Sequence, residues 1–172
     1  MLARETEAVY LSLGEYVLEH RLFAGFDRKR TTRIVDVNRA RKRIRTITQS
    51  IQTPLIIDTH HPEGIVPDRV ASHIFVLRCD PRILIRRLQR KKWSREKIRE
   101  NVMGEILDYC YINARSNYAK SKVVQLDTSS SNPKQTVKAA LRILSGAKPA
   151  ILRVDWLRVL EKESIWKYLV EC

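Results

Sequence analysis

The chain has 172 residues and a mass of 20.1 kDa, 44% hydrophobic and 30% charged, which suits one domain and excludes a largely disordered chain. Its 33 Lys and Arg against 19 Asp and Glu give a net charge of +14, which favours phosphate-rich partners because neutralising phosphates releases counterions. The five glycines, Gly14, Gly25, Gly64, Gly104 and Gly146, lie too far apart for a complete GxxxxGK[ST] loop or a GxGxxG fingerprint.

Short apolar runs alternate with helical patterns. Ala8–Leu13 reads as a strand and Glu15–Phe23 as a short helix. The stretch Gly25–Thr32 reads as a charged loop. Asn38 reads as the N-cap of a helix to about Gln52, with Ala40, Ile44, Ile47 and Ile51 on one face. Pro54–Asp58 is a buried strand ending in the polar turn Thr59-His60-His61-Pro62, and His73–Arg78 is another. Pro81 opens a helix through Leu88. Ser94 caps a long helix with the stripe Ile98, Val102, Ile106 and Tyr109. Lys122–Asp127 is a strand and Pro133–Leu144 a helix. From Pro149 onward a tail carries Trp156, Leu160, Ile165, Trp166 and Leu169, which suit a last docking helix. Continuous apolar strands between helices imply an α/β fold with a parallel sheet.

In such folds ligands bind at the carboxyl ends of the strands. Leu55-Ile56-Ile57 followed by Asp58 is a Walker-B pattern, whose carboxylate holds Mg²⁺ directly or through water. The plain alternative is an aspartate capping a turn. His60, two residues on, is placed to orient water or phosphate, or is a turn histidine with no chemistry. Arg28–Arg45 holds nine Lys or Arg against one acid, and Arg78–Arg99 holds ten against two. Each is either a solvated face or, for the second, a lid that closes cations over a triphosphate. Trp93 anchors that region or stacks a base. Cys110 reads as a packing residue. The odd, scattered Cys79, Cys110 and Cys172 form neither a disulfide framework nor a metal knuckle, which implies a reducing, cytoplasmic compartment. No run is long and apolar enough for a membrane span, so no membrane partner is expected.

Several of these residues together resemble the adenylate kinase isoenzyme 6 family, also described as ATPases of small-subunit ribosome assembly. They are Ile57-Asp58-Thr59-His60, His73–Arg78, Arg87-Leu88, and above all Trp93–Asp108 with its Glu100-Asn101-Val102 and Glu105-Ile106. The resemblance covers about Leu2–Leu144, and Val154-Asp155-Trp156 is similar to archaeal members. It implies a nucleoside-monophosphate kinase core over 1–148, with a monophosphate-binding region at about 12–35 and a lid at about 90–100. The tail, 149–172, would follow it. By the same resemblance Ser12, Gly14, Gly25, Phe26 and Asp27 hold AMP. Asp58 organises Mg²⁺, His60 acts beside it, and Arg87, Lys91 and Arg95 meet ATP. ATP and AMP would be the substrates, with a small-subunit ribosomal protein and rRNA as further partners in ribosome biogenesis and rRNA processing.

Two departures stand out. Lys91-Lys92 occupies the place of the family's Arg-Gly, keeping the charge but not the planar guanidinium that stacks on a base. The family's strand, GxPGxGK[ST] loop and first helix turns precede the residues matched by Met1-Leu2-Ala3. That match sets up the expectation of a misassigned start, with a Leu codon read as initiating Met, against a relative that keeps only binding duties. Strands Leu55–Asp58 and Ile74–Arg78 should flank the absent central strand.

Overall fold

Parallel pairing of short strands flanked by helices is the organising feature of the computed structural model, which describes residues 1–28, 32–149, 152 and 154–161. The chain divides into two units, Met1–Ser72 and His73–Cys172.

In the first unit, helix α1 (Leu2–Glu5) leads into strand β1 (Val9–Ser12) and helix α2 (Leu13–Glu19). The Ser12 side chain ends the strand and caps α2 by accepting the Glu15 N–H at 3.5 Å. The charged stretch after it is not simply a loop. Strands β2 (Phe23–Asp27) and β3 (Thr32–Val35) pair antiparallel, Phe26 opposite Arg33, with an irregularity between Phe23 and Gly25. Half-buried and exposed residues alternate along β2, the period of a strand, and the Arg33 guanidinium lies 4.2 Å from the centre of the Phe23 ring.

Helix α3 (Val37–Ser50) is capped by Asp36, which accepts from the Arg39 N–H at 3.0 Å, so Asn38 is its second residue rather than its cap. Ala40, Ile44 and Ile47 of the expected stripe face inward, whereas Ile51 is the C-cap beyond the helix. Ala40 and Ile44 are buried with Leu13, Val17, Leu22, Ile65 and Val66, and Ile47 packs against them. Strand β4 (Leu55–Asp58) pairs parallel with β1, setting Ser12 opposite Asp58.

In the second unit, β5 (Ile74–Arg78) pairs parallel with β6 (Val123–Asp127). Between them run α4 (Pro81–Arg90), α5 (Arg95–Ile106) and α6 (Tyr109–Asn117). Ser94 caps α5 as expected, accepting the Lys97 N–H at 3.3 Å, and Ile98, Val102 and Ile106 are buried. The helix then breaks. Asp108 adopts φ 54°, in the left-handed region, and Tyr109 is exposed instead of extending the stripe. At the break Asp108 turns its carboxylate onto Arg78, which is 2% exposed and also bonded to Glu105 and Gln125.

Helix α7 (Pro133–Leu144) begins with a capping box, in which Asn132 and Gln135 each accept the other's backbone N–H. Helix α8 (Trp156–Glu161) brings Trp156 into the core of Leu88, Ile98, Val102 and Ile106. The expected docking positions Ile165, Trp166 and Leu169 lie outside the described residues, as do the side chain of Leu160 and Cys172. Cys79 is buried, whereas Cys110 is exposed and not a packing residue.

Candidate functional site

Asp58 sits at the carboxyl end of β4, the position that parallel α/β folds leave open to ligands. Its carboxylate is exposed. One oxygen, Oδ2, accepts the Tyr10 hydroxyl at 3.0 Å, and this hydrogen bond, reinforced by the carboxylate's charge, pushes the Tyr10 phenol above its ordinary value. Tyr10 therefore stays a neutral donor.

The turn after β4 is organised by Thr59, whose Oγ1 accepts the His61 N–H at 3.1 Å. His61 Nδ1 lies 3.1 Å from Glu63 Oε1, while His60 is exposed two residues beyond Asp58. Gly64 follows with φ 76°, and its carbonyl accepts from Arg41 Nε. The residues expected to hold a monophosphate belong to the same unit. Ser12 and Gly14 are at the start of α2; Gly25, Phe26 and Asp27 are on β2, with Phe26 54% exposed. Neither Gly14 nor Gly25 is forced by sterics, since a Cβ at Gly14 meets nothing within 4 Å and one at Gly25 meets Ile34 Cδ1 at 3.7 Å.

Among the described residues no group of three or more His, Cys, Asp or Glu could hold a metal ion. The donors nearest in register to Asp58 are hydroxyl oxygens, from Ser12 opposite and Tyr10. One carboxylate among oxygen donors fits Mg²⁺, which keeps most of its waters and takes further ligands from phosphates.

The basic stretch of the second unit forms the hairpin of α4 and α5, joined by the turn Lys91–Ser94, with Lys92 at φ 57°. Lys91 and Arg95 are exposed. Trp93 packs against the hairpin core, with the Lys97 Nζ 3.9 Å and the Lys91 Nζ 5.7 Å from its ring centre. Arg87 is differently engaged. It donates to the Thr128 carbonyl at 2.7 Å and the Ser129 carbonyl at 3.2 Å, and lies 3.4 Å from Cys79 Sγ.

Sequence reasoning missed the polar stitching at the ends of β5 and β6. Asp80 caps α4 and grips Arg82 at 2.5 and 2.9 Å, and these hydrogen bonds hold its carboxyl below the ordinary range. The Asp80 N–H donates to Ser129 Oγ at 2.8 Å, which donates to Asp127 at 2.5 Å. Burial pushes the Cys79 thiol up, against the pull of Arg87. The signal available was the pair Asp80-Pro81, an N-cap followed by proline at the first helical position.

The paired parallel strands and flanking helices define an α/β protein of the P-loop kinase-like class. The family described as "AAA domain" matches residues 1–108. A Methanococcus maripaludis protein is 30% identical over 148 residues, covering 86% of this chain and 77% of its own length. One from Pyrobaculum aerophilum is 33% identical over 139 residues, covering 81% and 68%, and one from Methanocaldococcus jannaschii 28% over 146 residues, covering 85% and 77%. All three bear the name "Putative adenylate kinase". The chain belongs to this archaeal family.

Proposed function

We propose that these residues supply the acceptor site, the metal-organising carboxylate and the lid of an adenylate kinase that also hydrolyses ATP and serves small-subunit ribosome maturation. The observation that supports this best is an exposed Asp58 at the carboxyl end of β4, in register with Ser12 at the start of α2.

In this reading Ser12, Gly14, Gly25, Phe26 and Asp27 hold AMP, with the exposed Phe26 ring offering a stacking face. Asp58, with Tyr10 donating to one oxygen, holds Mg²⁺ through the other oxygen or through water. Mg²⁺ bound there supplies charge neutralisation for ATP phosphates. His60 positions the attacking water or a phosphate oxygen. Lys91 and Arg95, both exposed, neutralise charge that develops as the γ-phosphoryl moves. Arg87 contributes through the Thr128–Ser129 loop that it holds.

The 172 residues contain no GxxxxGK[ST], so the test separates binding from transfer. By calorimetry AMP should bind the chain, and Phe26→Ala and Asp27→Ala should each weaken it, by about tenfold for the loss of a stacking face or of a hydrogen bond. Fusing a strand and a GxPGxGK[ST] loop of the family pattern ahead of Met1 should produce Mg²⁺-dependent ADP from ATP and AMP, lost with Asp58→Asn. A chain that binds no AMP and gains no turnover from the fusion overturns the proposal.

A second reading is a non-catalytic assembly factor that binds rRNA or a small-subunit ribosomal protein. It is favoured by the exposure of Arg39, Lys42 and Arg43 on α3, away from the buried Ala40 and Ile44. Binding of RNA undiminished by Asp58→Asn, without any nucleotide binding, selects this reading.

A further inference from the structure

Glu105, in the last turn of α5, uses a single oxygen for three donors. Its Oε1 accepts from Arg78 Nε at 2.8 Å, from the Cys79 N–H at 3.2 Å and from the indole Nε1 of Trp156 at 2.7 Å. Arg78 is buried and donates further to Gln125 and Asp108. Gln125 in turn donates through Nε2 to the Leu152 carbonyl at 3.1 Å. Leu152 and Trp156 are thus both tied to one buried charge network on β5, α5 and β6.

The same short stretch is an apolar plug. Trp156 is buried among Leu88 of α4 and Ile98, Val102 and Ile106 of α5, and Val154 packs against that cluster beside Leu84, Ile85 and Trp93. A two-helix hairpin has little core of its own, so a buried indole from outside the hairpin supplies a large share of its apolar contacts. The indole N–H also meets an ionised carboxylate, which makes its hydrogen bond stronger than a neutral one. Removing the indole leaves a void between the two helices and takes one donor from a carboxylate already committed to Arg78.

We propose that Leu152, Val154 and Trp156 form a strap that fastens the α4–α5 hairpin, with Trp156 and Glu105 as positioning residues for the cations on its turn. The fastening stands on the contacts above, and only the use of Lys91 and Arg95 toward phosphate rests on the kinase reading. The hairpin is therefore coupled to Leu152, Val154 and Trp156. Any event that draws Val154 and Trp156 away loosens the segment bearing Lys91, Lys92 and Arg95, because the strap packs on the cluster that includes Leu88, which borders the hairpin's turn, and Trp93, which belongs to it.

Amide hydrogen exchange on the full chain, followed by peptide mass, tests this without nucleotide, so failure of the kinase reading leaves the result untouched. Trp156→Phe keeps an aromatic plug and removes the N–H. It should speed exchange of the α4–α5 amides by about tenfold, the loss of one charge-assisted hydrogen bond, and leave β1–β4 exchange as in the parent. Glu105→Gln should do the same, and trypsin should cut faster after Lys91 and Lys92 in both. Val154→Ala, a milder truncation, should give a smaller change in the same peptides and serves if the other variants fail to fold. Unchanged α4–α5 exchange in the variants overturns the strap. So does an equal rise in every peptide, which makes Trp156 an ordinary core residue.

Discussion

Tyr10 and Asp58 illustrate how a single hydrogen bond joins structure to chemistry at the residue scale. The bond holds the Tyr10 phenol above its ordinary value although the residue is 56% exposed. Asp58→Asn should return that titration to the free-tyrosine range, read by ultraviolet difference absorbance against a Tyr10→Phe control. A titration that does not move places the hydroxyl elsewhere in solution. Asp80 gives the opposite sign. Its carboxyl is held low chiefly by the side-chain hydrogen bonds of Arg82, outweighing the desolvation that would raise it. A group depressed in the folded state stabilises fully above its unfolded value, about 4, and loses that contribution as pH falls through the folded one. Asp80→Ala should cost about 1–2 kcal/mol at pH 7, as the loss of an N-cap does. In urea melts the gap to the parent should then narrow below about pH 4.

At the scale of elements, two glycines make opposite predictions. Gly64 has φ 76°, and a Cβ there would lie 3.2 Å from Val37 Cγ1. Gly64→Ala should destabilise by about 1–2 kcal/mol, since left-handed backbone strains any other residue. Gly14 is helical with open space around it, so Gly14→Ala should stabilise by about 0.5–1 kcal/mol in thermal melts. If that variant also loses AMP, the backbone at Gly14 is approached by the ligand. Much of this layer was legible beforehand. Helix α7 spans Pro133–Leu144 as its proline start and apolar period imply, and β4 and β5 follow their apolar runs closely. The β2–β3 hairpin was not legible, because the charges of Arg28 and its neighbours masked a period-two alternation that begins at Phe23. The α5–α6 break was not legible either. It coincides with Asp108 meeting Arg78, a contact across 30 residues that no local spacing records. Of the candidate site, Asp58 could be read from its strand-end position, whereas its Tyr10 donor, 48 residues distant, could not.

For the whole molecule, a net charge of +14 predicts that any binding to a phosphate-rich partner weakens with salt. The exposed cations Arg39, Lys42 and Arg43 should each contribute roughly 0.7–0.9 to the slope of log affinity against log salt when they contact nucleic-acid phosphates. Replacing all three with Ala should lower that slope for RNA by about 2–3, read by filter binding from low to high salt. An unchanged slope reduces them to a solvated face. The 172 residues alone, without a phosphate-cradling loop, should show no Mg²⁺-dependent ADP formation above background in a coupled assay, because positioning and electrostatics are nearly all that this chemistry asks of a protein.

The Trp156–Glu105 bond also has a temporal consequence. It joins residues 51 positions apart, so a growing chain makes α4 and α5 long before the indole that completes their core exists. Until then Leu88, Ile98, Val102 and Ile106 meet water on the side that Trp156 later fills. Contacts of such sequence separation form slowly, since loop closure precedes their reward. The core of the helical hairpin is thus complete only after Trp156 has been made, so its apolar face stays open longer than the local contacts within α4 and α5.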